Sequence, residues 1–211
     1  MSVEILIVDD EPALNELFVI GLKKYGFSTE GVLGGRECLD LLKDEYKPDL
    51  ILLDMMMEPM DGWETLHHIK ADPDFRKIPV IMQTGKNLTF KEAEQFSYYI
   101  EDYIMKPITP KRCVDIINEI LEKQRLIQAL IDNARAKGCS EGEIDHFVTI
   151  HRANDVSGRL MRLLEDRYGS STGEQDPDSY GPEDFQTFRL KIKAEYDLLS
   201  QNMGIIAGFH F

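Results

Sequence analysis

The chain has 211 residues, 43% of them apolar and 29% charged, a balance that supports a packed core and excludes global disorder. Its net charge is −14, divided as 11 Lys/Arg against 21 Asp/Glu over residues 1–109 and 13 against 17 over residues 110–211. Neither part carries the basic excess of a nucleic-acid binder, and no apolar run is long enough to span a bilayer.

Apolar and amphipathic runs alternate through residues 1–109. "VEILIV" (3–8) reads as a short strand. "PALNELFVIGLKKYG" (12–26) places Leu14, Leu17, Phe18 and Leu22 on one helical face and ends at a glycine. A weak strand at 28–32 and a helix at 35–46 follow. "DLILL" (49–53) is apolar on both faces, "GWETLHHIKAD" (62–72) has helical spacing, and "IPVIMQT" (78–84) is another buried strand. A short helix over 88–100 leads to a last strand, "DYIM" (102–105). Strands alternating with helices indicate βαβ units and a parallel sheet covered on both faces. The expected fold is α/β, a doubly wound, flavodoxin-like five-stranded parallel sheet in the order 2-1-3-4-5.

Thr109-Pro110 reads as an N-cap and first helical residue. The helix it opens has no breaker before Gly138, so it is expected to project beyond the first domain. Ser140 and Glu143 form a capping box for a second helix through about Tyr168, with a stripe at Phe147, Ile150, Val156, Leu160, Leu163 and Leu164. "GSSTGEQDPDSYGP" (169–182) is polar and turn-rich, and Pro182 opens a third helix with Phe185, Phe188, Ile192, Tyr196 and Leu199 on one face. The tail "MGIIAGFHF" is apolar and is expected to pack. The expected organisation is an α/β domain over 1–122 and an all-α module over 123–211 that begins as an extension of the fifth helix.

Polar residues collect at the strand ends. The first strand ends in Asp9, Asp10 and Glu11, the third in Asp54, the fourth in Thr84 and the fifth in Lys106-Pro107. In the 2-1-3-4-5 order these converge on the rim where parallel α/β sheets bind ligands. Clustered carboxylates repel unless a cation sits among them, and hard oxygen donors suit Mg²⁺. A carboxylate beside Mg²⁺ and a lysine can act as a nucleophile on phosphorus.

This set closely resembles the CheY-like receiver domain of two-component response regulators, over residues 1 to about 122. Asp9-Asp10, Asp54, "MDGWE" after it, Thr84, Tyr103 and Lys106-Pro107 match in order and spacing. The resemblance implies Asp54 as phosphoacceptor for a sensor histidine kinase. It implies Mg²⁺ on Asp10, Asp54 and the Met56 carbonyl, supported by Asp9. Lys106 and Thr84 would contact the phosphoryl group, and Thr84 and Tyr103 would form the switch. Receiver self-phosphorylation and dephosphorylation is then the only enzymatic chemistry expected, in a cytoplasmic protein. Two positions depart from the family: Glu58-Pro59 replaces the habitual Pro-Gly, and "SYYIEDYIMKP" lacks the Gly-Ala pair before the last strand. Met56 and Lys86 border the path of an attacking water and cannot orient it, so a long-lived phosphoryl group is expected.

Other features read as structural. His67 and His68 lie on a surface helix. His151 reads as an ordinary surface or bundle histidine, because its neighbours do not match a histidine phosphotransfer module. The side chains of Met55, Met56, Met57 and Met60 read as packing around the loop rather than as a metal site. Cys38, Cys113 and Cys139 lack metal-type spacing and suit a reducing cytosol. The three C-terminal helices cannot bury their stripes alone. A homodimer through them is the favoured reading, with a protein-interaction or dimerisation output. A helical DNA reader is the alternative that the acidity disfavours.

Overall fold

The computed structural model describes residues 2–85, 87–168 and 180–204. The described elements are β1 (Glu4–Val8), α1 (Pro12–Lys23), β2 (Ser28–Val32), α2 (Gly35–Lys43), β3 (Leu50–Asp54), α3 (Gly62–Ala71), β4 (Val80–Thr84), α4 (Phe90–Phe96) and β5 (Asp102–Met105), then α5 (Pro110–Ala136), α6 (Glu141–Tyr168) and α7 (Pro182–Asn202). The expected 2-1-3-4-5 order is present, with every neighbouring pair parallel. The central strands β3 (LILLD) and β4 (VIMQT) are buried along their whole length, including the polar Asp54, Gln83 and Thr84 that end them, as strands covered by helices on both faces are. The registers Ile5↔Leu50, Leu52↔Ile81 and Thr84↔Met105 bring the carboxyl ends of four strands to one edge. No helix among the described residues is long and apolar enough to cross a membrane.

Local chemistry fixes the helix ends. Asp61 caps α3 by accepting the Glu64 amide at 2.7 Å. Thr89 and Glu92 make a reciprocal capping box at the start of α4. The same box, Ser140 with Glu143, opens α6. The long α5 stops where Gly138 takes a φ of 87°, a conformation that costs glycine little. The Arg135 guanidinium then meets the Glu141 carboxylate across that turn at 2.6 and 2.8 Å.

Two compact units are present. One comprises residues 1–87 and 100–118, and the other residues 88–99 and 119–211. The first holds the sheet, α1 to α3 and the start of α5. Within it, Gly21 of α1 lies so close to Pro110 that an added Cβ would sit 2.6 Å from the Pro110 Cβ. The second holds α4, the rest of α5, α6 and α7. Its interior contains Phe147, Phe185, Val156, Leu160 and Ile192, each at most 3% exposed. Burying side chains of this size stabilises by roughly 1.5–3 kcal/mol each. Lys123 and Arg159 hold Asp155 at 3.1 and 2.5 Å. Burial works against the Asp155 carboxylate, but these two cations more than offset it and keep its pKa below the usual value.

His151 lies inside this unit, 7% exposed, with ring centroids 5.9 Å from Phe147 and 5.5 Å from Tyr196. It is a bundle histidine, enclosed by aromatic rings. His67 and His68 are exposed, as expected. Residues 169–179 of the turn-rich segment, residues 205–211 of the tail (including His210), and Lys86 lie outside the described residues.

Candidate functional site

The site is built at the carboxyl edge of the sheet, where each chain segment leaves its strand. After β1 the Asp9 amide bonds to the Val32 carbonyl at 3.2 Å, and the Asp9 carboxylate accepts the Glu11 amide at 2.9 Å. That bond ties the acid to its own turn; α1 itself has no side-chain cap. Asn15, one turn into α1, is buried and reaches back to the strands. Its amide donates to the carbonyls of Val32 at 2.8 Å and of Ile7 and Asp9 at 3.4 Å. Asn15 was not singled out by sequence reasoning. Its only signal is a polar residue next to the apolar face of α1.

Asp54 closes β3 and is 6% exposed. One carboxylate oxygen accepts the Met56 amide at 3.1 Å. The other accepts the Lys106 ammonium at 2.6 Å, and the same ammonium reaches Asp9 at 2.7 Å. Asp10 is exposed and accepts the Glu58 amide at 3.4 Å. The Glu58-Pro59 departure therefore still directs a backbone donor toward the acids; its peptide is cis. Thr84 is fully buried at the end of β4, and its carbonyl accepts the Lys106 amide at 2.8 Å. Tyr103 is 5% exposed, with its hydroxyl 4.0 Å from the Met55 sulfur. Met55 and Met57 are buried, as expected of packing residues, whereas the Met56 side chain is 58% exposed and departs from that expectation.

Gly62 supports the site from behind. It begins α3 and donates its amide to the Met55 carbonyl at 3.0 Å. A Cβ here would stand 2.1 Å from the Asp54 carbonyl oxygen and 2.7 Å from the Met55 Cα. The half-buried Trp63 follows it.

Three acids and one lysine share this space. Burial pushes the Asp54 carboxyl above its usual range, with the Lys106 ammonium and the Met56 amide pulling the other way and Asp9 adding repulsion. Burial also works against the Lys106 ammonium, but its bonds to Asp54 and Asp9 outweigh that and hold its pKa above the usual lysine value. Asp9, Asp10 and Asp54 each offer an oxygen, and these oxygens lie within 4.8 Å of one another. This donor set is hard and anionic, and it leaves negative charge that one lysine does not balance. It fits a divalent cation of the Mg²⁺ type. Burial also pushes the Cys38 and Cys113 thiols up to about 12, so these two are inert packing groups.

Residues 5–118 match the family model of the response regulator receiver domain. Over 152 residues the chain is 31% identical to the DNA-binding response regulator MtrA of Mycolicibacterium smegmatis, covering 72% of this chain and 62% of that protein. The chain thus spans less than two thirds of that relative. Among solved structures it resembles the receiver domain of a signal transduction histidine kinase from Syntrophus aciditrophicus, at 33% identity and a TM-score of 0.52, over 58% of this chain and 92% of that one. It also resembles a CheY-like receiver domain protein from Methanospirillum hungatei, at 28% identity and a TM-score of 0.53, over 59% and 98% of the two chains.

Proposed function

Because the chain belongs to the response regulator receiver family, we propose that it is a two-component response regulator phosphorylated on Asp54 by a sensor histidine kinase. The observation that carries this reading is the Lys106 ammonium, 2.6 Å from Asp54 and 2.7 Å from Asp9 at the rim of the sheet. In the proposed reaction an Asp54 oxygen attacks phosphorus, the bond from phosphorus to the donor nitrogen breaks, and the electron pair leaves with the imidazole. Lys106 transfers its hydrogen bond from the carboxylate to a phosphoryl oxygen, and Thr84 donates its hydroxyl to another. Asp9, Asp10, Asp54 and the Met56 carbonyl would hold Mg²⁺, and the ion would supply positive charge to neutralise the transferring group. Thr84 and Tyr103 form the proposed switch. In this reading the chain is not an independent metabolic enzyme, and it is phosphorylated in the cytoplasm.

The receiver is assigned to residues 1–122, and output to a helical module over 123–211 that pairs with a second copy or another protein. Leu121, Leu126, Ile127, Leu130 and Ile131 of α5 are only half-buried, which supports a dimer through this helix. A DNA-binding output is the second reading. The name of the MtrA relative favours it, and the excess of 17 acidic over 13 basic residues in 110–211 opposes it.

The test is to incubate the full chain with acetyl phosphate and MgCl₂ and to follow the mass of one added phosphoryl group. Labelling should require Mg²⁺ and disappear in Asp54→Asn. Undiminished, Mg²⁺-dependent labelling of Asp54→Asn would falsify the nucleophile assignment. Light scattering and retention on DNA at moderate salt, before and after labelling, separate the two outputs.

A further inference from the structure

We infer that the solvent face of α7 is a self-complementary surface that pairs antiparallel with α7 of a second copy of this chain, about a two-fold axis beside Ala194. The inference rests on the reading that the helical module pairs with a second copy, and it names the contact and its direction.

The two faces of α7 differ sharply. Phe185, Phe188, Ile192 and Tyr196 turn inward and are at most 8% exposed. At about 3.6 residues per turn, Leu190, Ala194 and Leu198 form a stripe on the opposite face. Leu190 is 60% exposed, the most of any large apolar side chain among the described residues, and Leu198 is 57% exposed. A single exposed leucine is ordinary. Two of them, one turn either side of an exposed alanine, make a continuous apolar ridge. The alanine at its centre lets two helix axes approach closely.

The charges beside the ridge specify what covers it. Lys191 and Glu195 lie on one flank, Lys193 and Asp197 on the other. Within the chain Glu195 meets His146 at 3.0 Å, and Lys193 meets Asp197 at 3.4 Å. The Lys193, Glu195 and Asp197 side chains nevertheless stay 51%, 42% and 44% exposed, so they form a charged rim open to a partner. In an antiparallel pair centred on Ala194, each flank lies against the same flank of the second copy, read in reverse. Lys191 then faces Glu195 of the second copy, and Lys193 faces Asp197 of the second copy. The two-fold axis repeats both contacts, so every flank pairs opposite charges around an apolar centre. In a parallel pair the flanks interchange. Lys191 would face Lys193 and Glu195 would face Asp197, and every flank contact would be repulsive. The sequence of α7 is thus complementary to its own reverse.

The test is sedimentation equilibrium of the full chain over a concentration series with Mg²⁺, with and without beryllofluoride, with circular dichroism to check that each variant is folded. The parent should form a reversible dimer. Symmetry makes each substitution act twice, so Leu198→Glu should raise the dissociation constant by about thirty-fold or more. Lys193→Glu should raise it by about five-fold, and adding Asp197→Lys should restore it. A dimer tightened by Lys193→Glu would indicate parallel helices and overturn the inference. Dissociation constants within about two-fold of the parent in both Leu198→Glu and Lys193→Glu would also overturn it, while leaving pairing through α5 intact. A parent that stays monomeric in both conditions would overturn the self-pairing reading, and this inference with it.

Discussion

Replacing Gly62 by alanine tests whether the rim of the sheet is as tightly built as its distances state. The new Cβ would stand 2.1 Å from the Asp54 carbonyl oxygen, 1.3 Å short of the 3.4 Å at which ordinary contact begins. The obstructing atoms are backbone: Asp54 O, Met55 Cα and Asp54 C. No rotamer change can relieve them, so either α3 or the end of β3 must shift by about an ångström. Overpacking of this kind costs about 1–3 kcal/mol, and a displacement of that size at a reacting group costs about 100-fold in rate. Urea denaturation followed by circular dichroism measures the first effect, and the rate of labelling by acetyl phosphate measures the second. A Gly62→Ala protein within about 0.5 kcal/mol of the parent, labelled at the parental rate, would refute the argument that Gly62 sets the position of Asp54.

Two further outcomes follow from the same site. Lys106 is held above the usual lysine value of 10.5, so its stabilisation is complete below that pH and is lost as pH rises through the folded value. The stability gap between the parent and Lys106→Met should therefore be constant at neutral pH and shrink above pH 10.5; a gap that stays constant to higher pH would contradict the ion pair. Asn15→Leu removes the donor to the Val32, Ile7 and Asp9 carbonyls. It should destabilise by about 1–3 kcal/mol and weaken Mg²⁺ binding in calorimetric titration, whereas undiminished Mg²⁺ affinity would show that Asn15 holds only the helix.

Much of this architecture was readable from local pattern. Runs such as "DLILL" and "IPVIMQT", short and alternating with amphipathic segments, read as strands buried on both faces, and the acids and lysine that end such runs fall on one edge once the order is fixed. Helix ends were equally local: the Ser140–Glu143 box and Gly138 lie where the sequence placed them. Features that depend on distant partners were not readable. Asn15 is an unremarkable helical residue until β2 supplies the Val32 carbonyl. The Gln83 amide finds the Cys113 sulfur 30 positions away, at 3.9 Å. The grouping of α4 with α6 and α7 depends on Phe185 and Phe188, about ninety residues later, and nothing within "LTFKEAEQFSYYI" names them. His151 was read as a surface or bundle histidine; which of the two depends on Tyr196 of α7.

The close seat of Gly62 against Asp54 also bears on how the protein can be watched. The next residue, Trp63, is the only tryptophan in the chain and is half-buried in the first turn of α3. A movement that presses the Asp54 carbonyl against Gly62 displaces the first turn of α3, which carries that indole. The protein therefore carries an intrinsic optical probe one residue from the atoms that pack on its reactive strand, with no background from a second tryptophan. Its fluorescence can follow events at the rim in real time and in unmodified protein.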